Sequence, residues 1–586
     1  MHKLQALLTT IENQPFHNLH KLRGTYHFPG FELNFIKMQG SPGANPASIA
    51  SVTIALQHSK IPEAFFQTTE SKLAVADFLI RRFRDGINRF AQQNRGKDGS
   101  GSFNTVALSQ MMLSRDSVLL GADAICLRFM ISLPAKGPGG GIFDADQAWI
   151  MFSQELVAIV GSTFFYHHYD QQTCTLLAQF VAVQTTRAQI KSFMQQHQLI
   201  VFIANDAMLP RLSGINDRPA LSDSVRTFQT PASLQIKIPL AEGHTITGMG
   251  IKQGITCITG GGYHGKSTLL QAILAGVYAH IPGDGREYVV TREDAFFIRA
   301  EEGRSIRSVD ISPFISDLPN GLKTACFSSE NASGSTSQAA NIVEAIESGS
   351  RLLLFDEDTC ATNFLVRDEL IKKILDTEQE PIKPLYSTVR SLWRKHQVSM
   401  IFVVGGLGYF LQKADTCLLM ANYRCEDISA KVRDRLGEIV EEATPMSDFS
   451  LSRRLAENNF DPAYINQRLN KTLPKRIKDL RNAVRQLEYG MDLINLDAVA
   501  QLAEAPQLLA IGYCLLALQT KLQQSGAKPE TIRFWIDYLE DEINKHGLDV
   551  LKPDYPGTLS MPRKYELAAA INRIRSLNIL SNEAAE

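Results

Sequence analysis

Gly260-Gly-Gly-Tyr-His-Gly-Lys-Ser267 matches the pattern G-x-x-x-x-G-K-S/T and is the stretch from which the fold can be argued. It follows the apolar run Ile255–Thr259 and precedes a helical pattern over Lys266–Ala279. Small residues between a strand and a helix let backbone N–H groups wrap a phosphate chain, and the helix N-terminus adds positive charge. The pattern predicts a phosphate-binding loop in which Lys266 reaches the terminal phosphates and Ser267 ligates Mg²⁺. A plain glycine-rich turn would explain the glycines but not the Lys-Ser pair.

A second pattern, Arg351-Leu-Leu-Leu-Phe-Asp-Glu-Asp358, is an apolar strand that ends in carboxylates. Taken alone, such a strand is common, but here it follows a phosphate loop in the same expected parallel sheet. Asp356 is predicted to hold Mg²⁺, and Glu357 to act as the catalytic base that polarises the attacking water. Lys266 is predicted to be catalytic as well, because it stabilises the transferring phosphoryl group.

A third pattern, Ala332-Ser-Gly-Ser-Thr336, opens the helical segment Ser337–Ile346 just ahead of the acidic strand. Alone, it would be an ordinary helix N-cap. Between the two patterns above, it is typical of an anion site in which a serine hydroxyl, a close-approach glycine and a helix N-terminus face a γ-phosphate. That phosphate would belong to a nucleotide held by a second subunit.

These patterns together resemble a known family, the predicted ATPases of the ABC class, which are bacterial and protist proteins. The resemblance extends over nearly the whole chain and is carried by residues 209–214, 260–270, 282–287, 332–341, 356–364 and 563–570. It implies an ABC nucleotide-binding core between N- and C-terminal domains, ATP and Mg²⁺ as cofactors, and a homodimer with composite sites. An association with RNA has been proposed within the family.

The resemblance gives the predicted nucleotide contacts. They are Gly260, Gly261, Gly262, Tyr263, His264, Gly265, Lys266, Ser267, Thr268, Ser333, Gly334, Ser335, Thr336 and Asn363, with Ser267 and Asp356 as Mg²⁺ ligands. Asn363 ends a loop, Cys360-Ala-Thr-Asn363, that is expected to cross the dimer interface.

The sequence departs from the transporter type of ABC protein at several of these places. Ser335 replaces the second glycine of the signature and adds a side chain at the phosphate approach, and Asn363 replaces an aspartate. Gly406 stands where a switch histidine is usual, which leaves the γ-phosphate sensor unassigned. No Tyr, Phe or Trp lies between Gln229 and Gly262, so the sequence names no adenine contact. Glu301 begins the acidic stretch near the expected glutamine loop.

Composition and periodicity set the domain organisation. The chain has 586 residues, a net charge of −1, 44% hydrophobic and 21% charged residues, which indicate several globular domains and no strongly basic whole-molecule field. We predict an α+β domain over 1–241, an α/β P-loop core over 242–423, and a mainly helical domain over 424–586. Residues 71–93 are predicted to form a helix. The apolar runs are shorter than the ~20 residues that cross a bilayer, and the eight scattered cysteines favour a cytoplasmic protein.

Basic residues give the only hint of a macromolecular partner. A helix is predicted around residues 475–485, and a second basic group lies near the C-terminus; the candidate contacts to RNA or another polyanion are Lys475, Lys478, Arg481, Arg485, Arg563 and Arg573. A solvated helix face would explain either group alone.

The favoured interpretation is an Mg-ATP-hydrolysing homodimer that moves its flanking domains. Two other functions stay open at this stage. A P-loop kinase for a small molecule would need an acceptor pocket and no signature helix. An ATP-gated scaffold would bind nucleotide with negligible hydrolysis, as the absent switch histidine allows.

Overall fold

The chain is described here from a computed structural model, in which it forms two compact units. One contains Met1–Thr185 and Lys545–Met561, and the other contains Thr186–Asn544 and Pro562–Glu586. The structure describes all residues except 42–46, 93–94, 96–99, 138–140, 215, 221–224, 317, 320, 369–379, 443–445, 458, 461–476, 480–484, 491, 526–528, 552–556 and 581–586, and it describes 242 and 477–479 by their backbone alone.

The first unit is built on an antiparallel sheet in the order β1-β2-β3-β7-β4, with β6 also paired to β7. Alternate residues of β7, from Ile125 to Ile131, are buried, as a half-covered strand requires. Helix α3 begins at a capping box formed by Thr68 and Ser71 and runs over Thr69–Phe90. This α+β architecture agrees with the sequence-based prediction for the N-terminal region.

The elements of the first unit have the following bounds. The strands are β1 Gly24–Phe28, β2 Phe31–Lys37, β3 Ser48–Ala55, β4 Ser102–Asn104, β5 Met111–Met112, β6 Val118–Leu120, β7 Ala124–Ser132, β8 Ala135–Lys136 and β9 Ile142–Phe143. The helices are α1 His2–Thr10, α2 Leu56–Ser59, α3 Thr69–Phe90, α4 Ala145–Ile150 and α5 Leu156–Phe164, and α6 Gln171–Gln196 runs on into the second unit.

The second unit is organised around a six-stranded sheet in the order β18-β21-β22-β15-β23-β24. Its strands are parallel except for the edge strand β24, which pairs antiparallel with β23. The side chains of Leu352–Phe355 on β21 are almost fully buried, as expected for a parallel strand covered on both faces. A separate antiparallel sheet, β13-β14-β10-β17, packs against α6 through Ile190 and Met194.

The bounds in the second unit follow. The strands are β10 Leu199–Ala204, β11 Arg211–Ser213, β12 Asn216–Pro219, β13 Gln235–Pro239, β14 Thr245–Lys252, β15 Ile255–Thr259, β16 Ala279–His280, β17 Val289–Thr291, β18 Ala295–Ile298, β19 Arg304–Val309, β20 Phe327–Ala332, β21 Leu352–Asp356, β22 Ser399–Val403, β23 Thr416–Ala421, β24 Arg424–Asp427, β25 Arg454–Leu455, β26 Ile477–Asp479, β27 Gln486–Tyr489, β28 Asp492–Asn495 and β29 Ile579–Leu580. The helices are α7 Lys266–Ala275, α8 Gly334–Glu347, α9 Thr362–Leu365, α10 Val389–His396, α11 Ser429–Leu436, α12 Ala505–Ser525, α13 Ile532–His546 and α14 Lys564–Ile571.

The C-terminal region is mainly helical, as predicted, but it also contains strands that the sequence did not indicate. The predicted helix around residues 475–485 is wrong, because Ile477–Asp479 forms strand β26 and pairs with β27. Cross-strand pairing in the β26-β27-β28 sheet overrides the helical propensity of this lysine- and arginine-rich segment. Of the basic residues predicted there, Lys475 and Arg481 lie outside the described residues, and Lys478 is described by its backbone alone.

Two other boundaries bear on the site. Helix α7 ends at Ala275 rather than at Ala279, and its C-cap is Gly276, which donates its N–H to the Ala272 and Ile273 carbonyl oxygens. The predicted domain boundary after Tyr423 falls inside the β23–β24 hairpin, whose turn is Asn422-Tyr423. Within the described part of the chain, every helix is too short or too polar to cross a membrane.

Candidate active site

The phosphate loop connects β15 to α7 and requires glycine at both of its ends. Gly260 has φ = +145°, and a Cβ there would lie 2.3 Å from the Met420 carbonyl oxygen. Gly265, the N-cap of α7, has φ = +95°. Only glycine adopts these conformations without strain, so the loop follows a path that side chains would block.

Lys266 bridges the two sides of this loop. Its Nζ donates hydrogen bonds to the carbonyl oxygens of Gly260 and Gly261, each at 2.7 Å. Ser267 is exposed on the first turn of α7, and Thr268 beside it is half-buried. The Lys266 ammonium group therefore lies across the loop, next to the N-terminus of α7. Both carry positive charge, so this place favours the binding of an anion.

The β23–β24 turn is attached to the phosphate loop through His264. Asn422 donates its backbone N–H to His264 Nδ1 at 2.7 Å, and Tyr423 donates its backbone N–H to the His264 carbonyl oxygen at 3.3 Å. The imidazole also lies against Gly261, where a Cβ would be 2.8 Å from the ring. His264 thus fixes the turn at the loop by its backbone and side chain.

Glu357 follows β21 and is held by backbone amides. Its Oε2 accepts hydrogen bonds from the N–H groups of Gly405, Gly406 and Leu407 at 2.7, 3.0 and 3.3 Å. A Cβ at Gly406 would lie 3.3 Å from Glu357 Oε1, and one at Gly405 would lie 3.8 Å from Lys266 Nζ. The ends of β21, β22 and β15 therefore bring Glu357, the two glycines and Lys266 together.

Asp356 lies at the last position of β21, beside Glu357. Partial burial raises the pKa of the Asp356 carboxyl above its ordinary value, while the Asp358 N–H lowers it and nearby acidic charges raise it further. A cation at this strand end would lower the pKa of Asp356 again, because it favours the charged carboxylate. Ser267 and Asp356 both have side-chain oxygens, which are the ligands that Mg²⁺ prefers. Among the described residues, no group of three or more His, Cys, Asp or Glu is arranged to hold a metal. A hydroxyl and a carboxylate are chemically suited to Mg²⁺ that is otherwise held by water and phosphate oxygens, and binding of the ion by Ser267 and Asp356 stays a prediction.

The signature segment begins α8. Ser333 is its N-cap, and Ser333 Oγ accepts from the Thr336 N–H at 3.4 Å. Gly334 is closely packed, since a Cβ there would lie 3.4 Å from Ala300 Cβ. Ser335 is only 8% exposed, and its Oγ lies 3.2 Å from Ser333 Oγ. The side chain that replaces the second signature glycine is therefore covered within the protomer, and Ser333 is the exposed hydroxyl.

The loop after the acidic strand is connected to the signature helix. Gln338 of α8 accepts a hydrogen bond from the Ala361 N–H through Oε1 at 2.9 Å. Asn363, two residues further on, lies exposed on the short helix α9. A hydrogen bond therefore joins the signature helix to the segment that was predicted to cross the dimer interface.

Several polar residues singled out in the sequence lie against protein groups. Burial raises the pKa of Glu301, but the charges of Arg573 and Arg304 lower it below its ordinary value. Arg573 is paired with Glu301, and Arg563 with Glu566, and both arginines are largely buried. Arg485 donates to two backbone carbonyl oxygens at 3.1 and 3.2 Å. These arginines stabilise the fold of the second unit, and so does Glu301 through its ion pair with Arg573.

Sequence reasoning missed the amide group of residues 405–407 and the position of Tyr423. Backbone donors have no residue-type signature, so the sequence showed only that a histidine was absent. Tyr423 is distant along the chain from the segment searched for an aromatic residue. Its local signal is Asn422, a turn-forming residue directly after the apolar run Thr416–Ala421, although the strand that follows, Arg424–Asp427, is mostly charged.

Three family models match the chain in succession. The N-terminal model of the ATPases of the ABC class matches residues 1–167, the P-loop domain model of the ABC_ATPase family matches 174–454, and the MRB1590 C-terminal domain model matches 479–580. The chain therefore belongs to the family of ABC-class ATPases. Its fold is that of a P-loop ABC-type ATPase core with flanking domains.

Individual proteins are similar over smaller parts. An uncharacterized protein of Methanocaldococcus jannaschii, MJ1628, is 40% identical over 151 residues, which are 25% of this chain and a third, 33%, of that protein's length. CbiO1 of Clostridium perfringens, part of the ABC transporter complex CbiONQ, is 14% identical over 41% of this chain and 92% of its own, with a TM-score of 0.25. MJ1267, an ATP-binding cassette of an ABC transporter in its ADP conformation, is 12% identical over 41% of this chain and 94% of its own, with a TM-score of 0.24.

Proposed function

We propose that this protein hydrolyses Mg-ATP at sites that two copies of the chain complete together. The observation that carries the proposal is the convergence of Lys266 and Glu357 at one edge of the parallel sheet, joined by the Gly405-Gly406 segment. Phosphoryl transfer needs charge neutralisation and activation of water. An ammonium group can serve the first need, and a carboxylate at the same edge of the sheet can serve the second.

Glu357 is suited to be the general base because its two oxygens are in different surroundings. Within the described part of the chain, the hydrogen bonds to this carboxylate all go to Oε2. Oε2 is fixed by the three amides, so Oε1 can accept a proton from water without the side chain rotating away. Preorganisation of this kind lowers the cost of reaching the transition state.

The phosphate end of the site would be held by Lys266 and the loop amides. When ATP binds, its phosphate oxygens replace the Gly260 and Gly261 carbonyls as partners of the Lys266 ammonium. Mg²⁺, held by Ser267 and Asp356, would neutralise phosphate charge and stabilise the leaving group.

The distance of the signature segment from its own phosphate loop supports a second subunit as the source of the other half of the site. Ser333 and Gly334 lie beside Ala300, which is two residues beyond the end of β18. β18 is three strands away from β15 in the sheet order, and strands are about 4.8 Å apart, so roughly 14 Å separates the two strand ends. We infer that Ser333 meets the γ-phosphate bound by a partner copy, and that Asn363 lies at the same interface.

Closure of the two copies on ATP, and opening after hydrolysis, would move the flanking domains. RNA as the macromolecule on which they act is a proposal that rests on the family resemblance. Since Arg485, Arg563 and Arg573 are engaged with protein groups, an RNA surface would have to use other cations. Phosphate release with and without single-stranded RNA would test this partner.

One observation favours a slower alternative, an ATP-gated scaffold. Gly406 stands where the switch histidine is usual, so this position offers a backbone N–H to Glu357 and no side chain to contact the γ-phosphate. Such a protein would close on ATP and hydrolyse it rarely. A small-molecule kinase is less suited, because it gives the Ser333 helix start no role.

The experiment that tests the proposal is Glu357→Gln. Glutamine keeps a carbonyl oxygen for the three amides, so the side chain stays in place while the base is lost. We expect this variant to bind Mg-ATP, to lose at least about a hundredfold in phosphate release, and to accumulate as a dimer. Light scattering with and without ATP and a steady-state phosphate assay measure both effects.

The matched control is Glu438→Gln, the same isosteric change at an exposed carboxylate after α11. It should turn over ATP as the unmodified protein does. A Glu357→Gln protein that hydrolyses normally would remove the base assignment. An unmodified protein that binds ATP and dimerises, yet releases phosphate no faster than Glu357→Gln, would establish the scaffold instead.

A further inference from the structure

The strand order decides on which side of the phosphate loop the nucleoside lies. β15 has β22 on one side and β23 on the other, both parallel to it, so all three strands end at one edge. Glu357 and the Gly405–Leu407 amides lie on the β22 side. If the γ-phosphate points to that side, the ribose and base of the nucleotide must extend over the loop that follows β23.

Tyr423 is the residue that this loop presents there. Its ring contacts the helix start, since a Cβ at Gly265 would lie 3.1 Å from Tyr423 Cδ1. The residue is nevertheless 59% exposed. One edge of the ring therefore lies against the phosphate loop, and much of its surface is open to a ligand.

The backbone of the turn is strained to achieve this placement. Asn422 and Tyr423 have φ = +49° and +63°, in the left-handed region that two-residue hairpins usually fill with Asn-Gly. A tyrosine is disfavoured there relative to glycine, because its Cβ crowds the backbone, and such strain is concentrated at functional sites. The hydrogen bonds from both N–H groups to His264 hold the turn in place.

We propose that Tyr423 is the platform on which the nucleobase stacks. This inference rests on the proposed binding of ATP at the phosphate loop and adds the residue that contacts its base. The position differs from the segment Gln229–Gly262, whose sequence contains no Tyr, Phe or Trp. Stacking on a ring uses the face of the base, so it favours purines by area and does not by itself read the base edge.

The test compares a ligand that has a base with one that lacks it. ATP and inorganic tripolyphosphate are titrated in the presence of Mg²⁺ into the full-length protein and into Tyr423→Ala, Tyr423→Phe and Lys266→Ala. We expect Tyr423→Ala to weaken ATP binding about tenfold or more and to leave tripolyphosphate binding unchanged. Tyr423→Phe keeps the ring and should bind ATP as the unmodified protein does. Lys266→Ala should weaken both ligands.

A spectroscopic readout guards against a variant that merely disturbs the turn. In Tyr423→Trp the indole should change its fluorescence on addition of ATP and stay unchanged with tripolyphosphate.

Tyr263 is the competing candidate for the stacking residue, since it is 99% exposed on the loop itself, and Tyr263→Ala tests it. If Tyr263→Ala shows the ATP-selective loss and Tyr423→Ala does not, our assignment is overturned.

The outcomes also separate this inference from the proposed function. Equal affinity of the unmodified protein for ATP and tripolyphosphate, or an equal loss of both in Tyr423→Ala, refutes the platform and leaves the phosphate site intact. Binding of ATP that Lys266→Ala does not weaken refutes the phosphate site itself.

Discussion

Glu357 shows how a backbone segment can take a position that a side chain usually fills. Gly405, Gly406 and Leu407 direct three N–H groups at one carboxylate oxygen, and the first two residues have no side chain in the way. Three amide donors hold a carboxylate more firmly than one imidazole, because each charge-assisted hydrogen bond adds to the same oxygen. Where a histidine side chain is usual, the donors to Glu357 are therefore backbone N–H groups.

Gly406→Ala should disturb this arrangement without touching the phosphate loop. The new Cβ would lie 3.3 Å from Glu357 Oε1, closer than an ordinary contact, and would push the carboxylate from its place. We expect kcat to fall about tenfold, since small misplacements of a catalytic group are costly, and KM for ATP to change little. Steady-state phosphate release over a range of ATP concentrations separates the two constants.

Gly408→Ala is the matched control for that experiment. It adds the same methyl group to the same segment, but among the residues that the structure describes, its two chain neighbours aside, none has an atom within 4 Å of the new Cβ. Turnover by this variant should equal that of the unmodified protein. Equal losses in both variants would mean that segment flexibility, and not the contact with Glu357, limits the reaction.

Helix α8 combines two demands at its first residues. Ser333 caps the helix by accepting the Thr336 N–H, and the same hydroxyl is exposed where we propose that a partner's γ-phosphate arrives. A cap contributes about 1 kcal/mol to stability. The two roles can be separated because aspartate caps a helix as well as serine does but repels phosphate.

We therefore expect two variants of Ser333 to rank one way in thermal stability and the opposite way in ATP turnover. Ser333→Asp should unfold at the same temperature as the unmodified protein or slightly above it, and it should lose ATP turnover almost completely. Ser333→Ala should lose about 1 kcal/mol of stability and keep more turnover than Ser333→Asp. Thermal unfolding and phosphate release check the order. Turnover that simply follows stability would show that Ser333 is a cap and nothing more.

At the level of elements, the periodicity of apolar residues predicted the bounds of those strands and helices that depend on local sequence. β15 has the predicted bounds, α7 begins at the predicted Lys266, and β21 ends at Asp356, the first of the predicted carboxylates. The error at Ile477–Asp479 arose because lysines and arginines at helical spacing carry no information about a strand partner. Pairing with β27 is a long-range contact that single-sequence patterns do not contain.

The candidate site could be anticipated only in part, for a related reason. The sequence named Lys266, Asp356 and Glu357, because a strand end specifies which side chains face a ligand. It did not indicate that Arg563 and Arg573 are buried in ion pairs, since burial depends on partners elsewhere in the chain. Whether the named residues bind nucleotide stays a prediction that the variants above address.

At the scale of the whole molecule, the proposal requires that neither copy of the chain contains a complete site. Each protomer would contribute Lys266 and Glu357 to one site and Ser333 to the other, as a two-fold symmetric dimer demands. A variant in either half therefore inactivates both sites of a uniform dimer. A mixture of two different variants regenerates one site in every mixed dimer.

Mixing Ser333→Arg with Lys266→Ala subunits tests this directly. Ser333→Arg blocks closure by bulk while leaving Lys266 intact, and Lys266→Ala removes the phosphate-facing ammonium while leaving Ser333 intact. Each variant alone should be inactive, and equal mixing should restore about a quarter of the wild-type sites, because half of the dimers are mixed and each has one intact site. Phosphate release is measured across mixing ratios at fixed total protein, with subunit exchange followed by differently tagged copies. If subunits exchange and activity does not return, the two sites are obligatorily coupled or Ser333 does not act in trans. Full activity of Ser333→Arg alone would remove the signature segment from the mechanism.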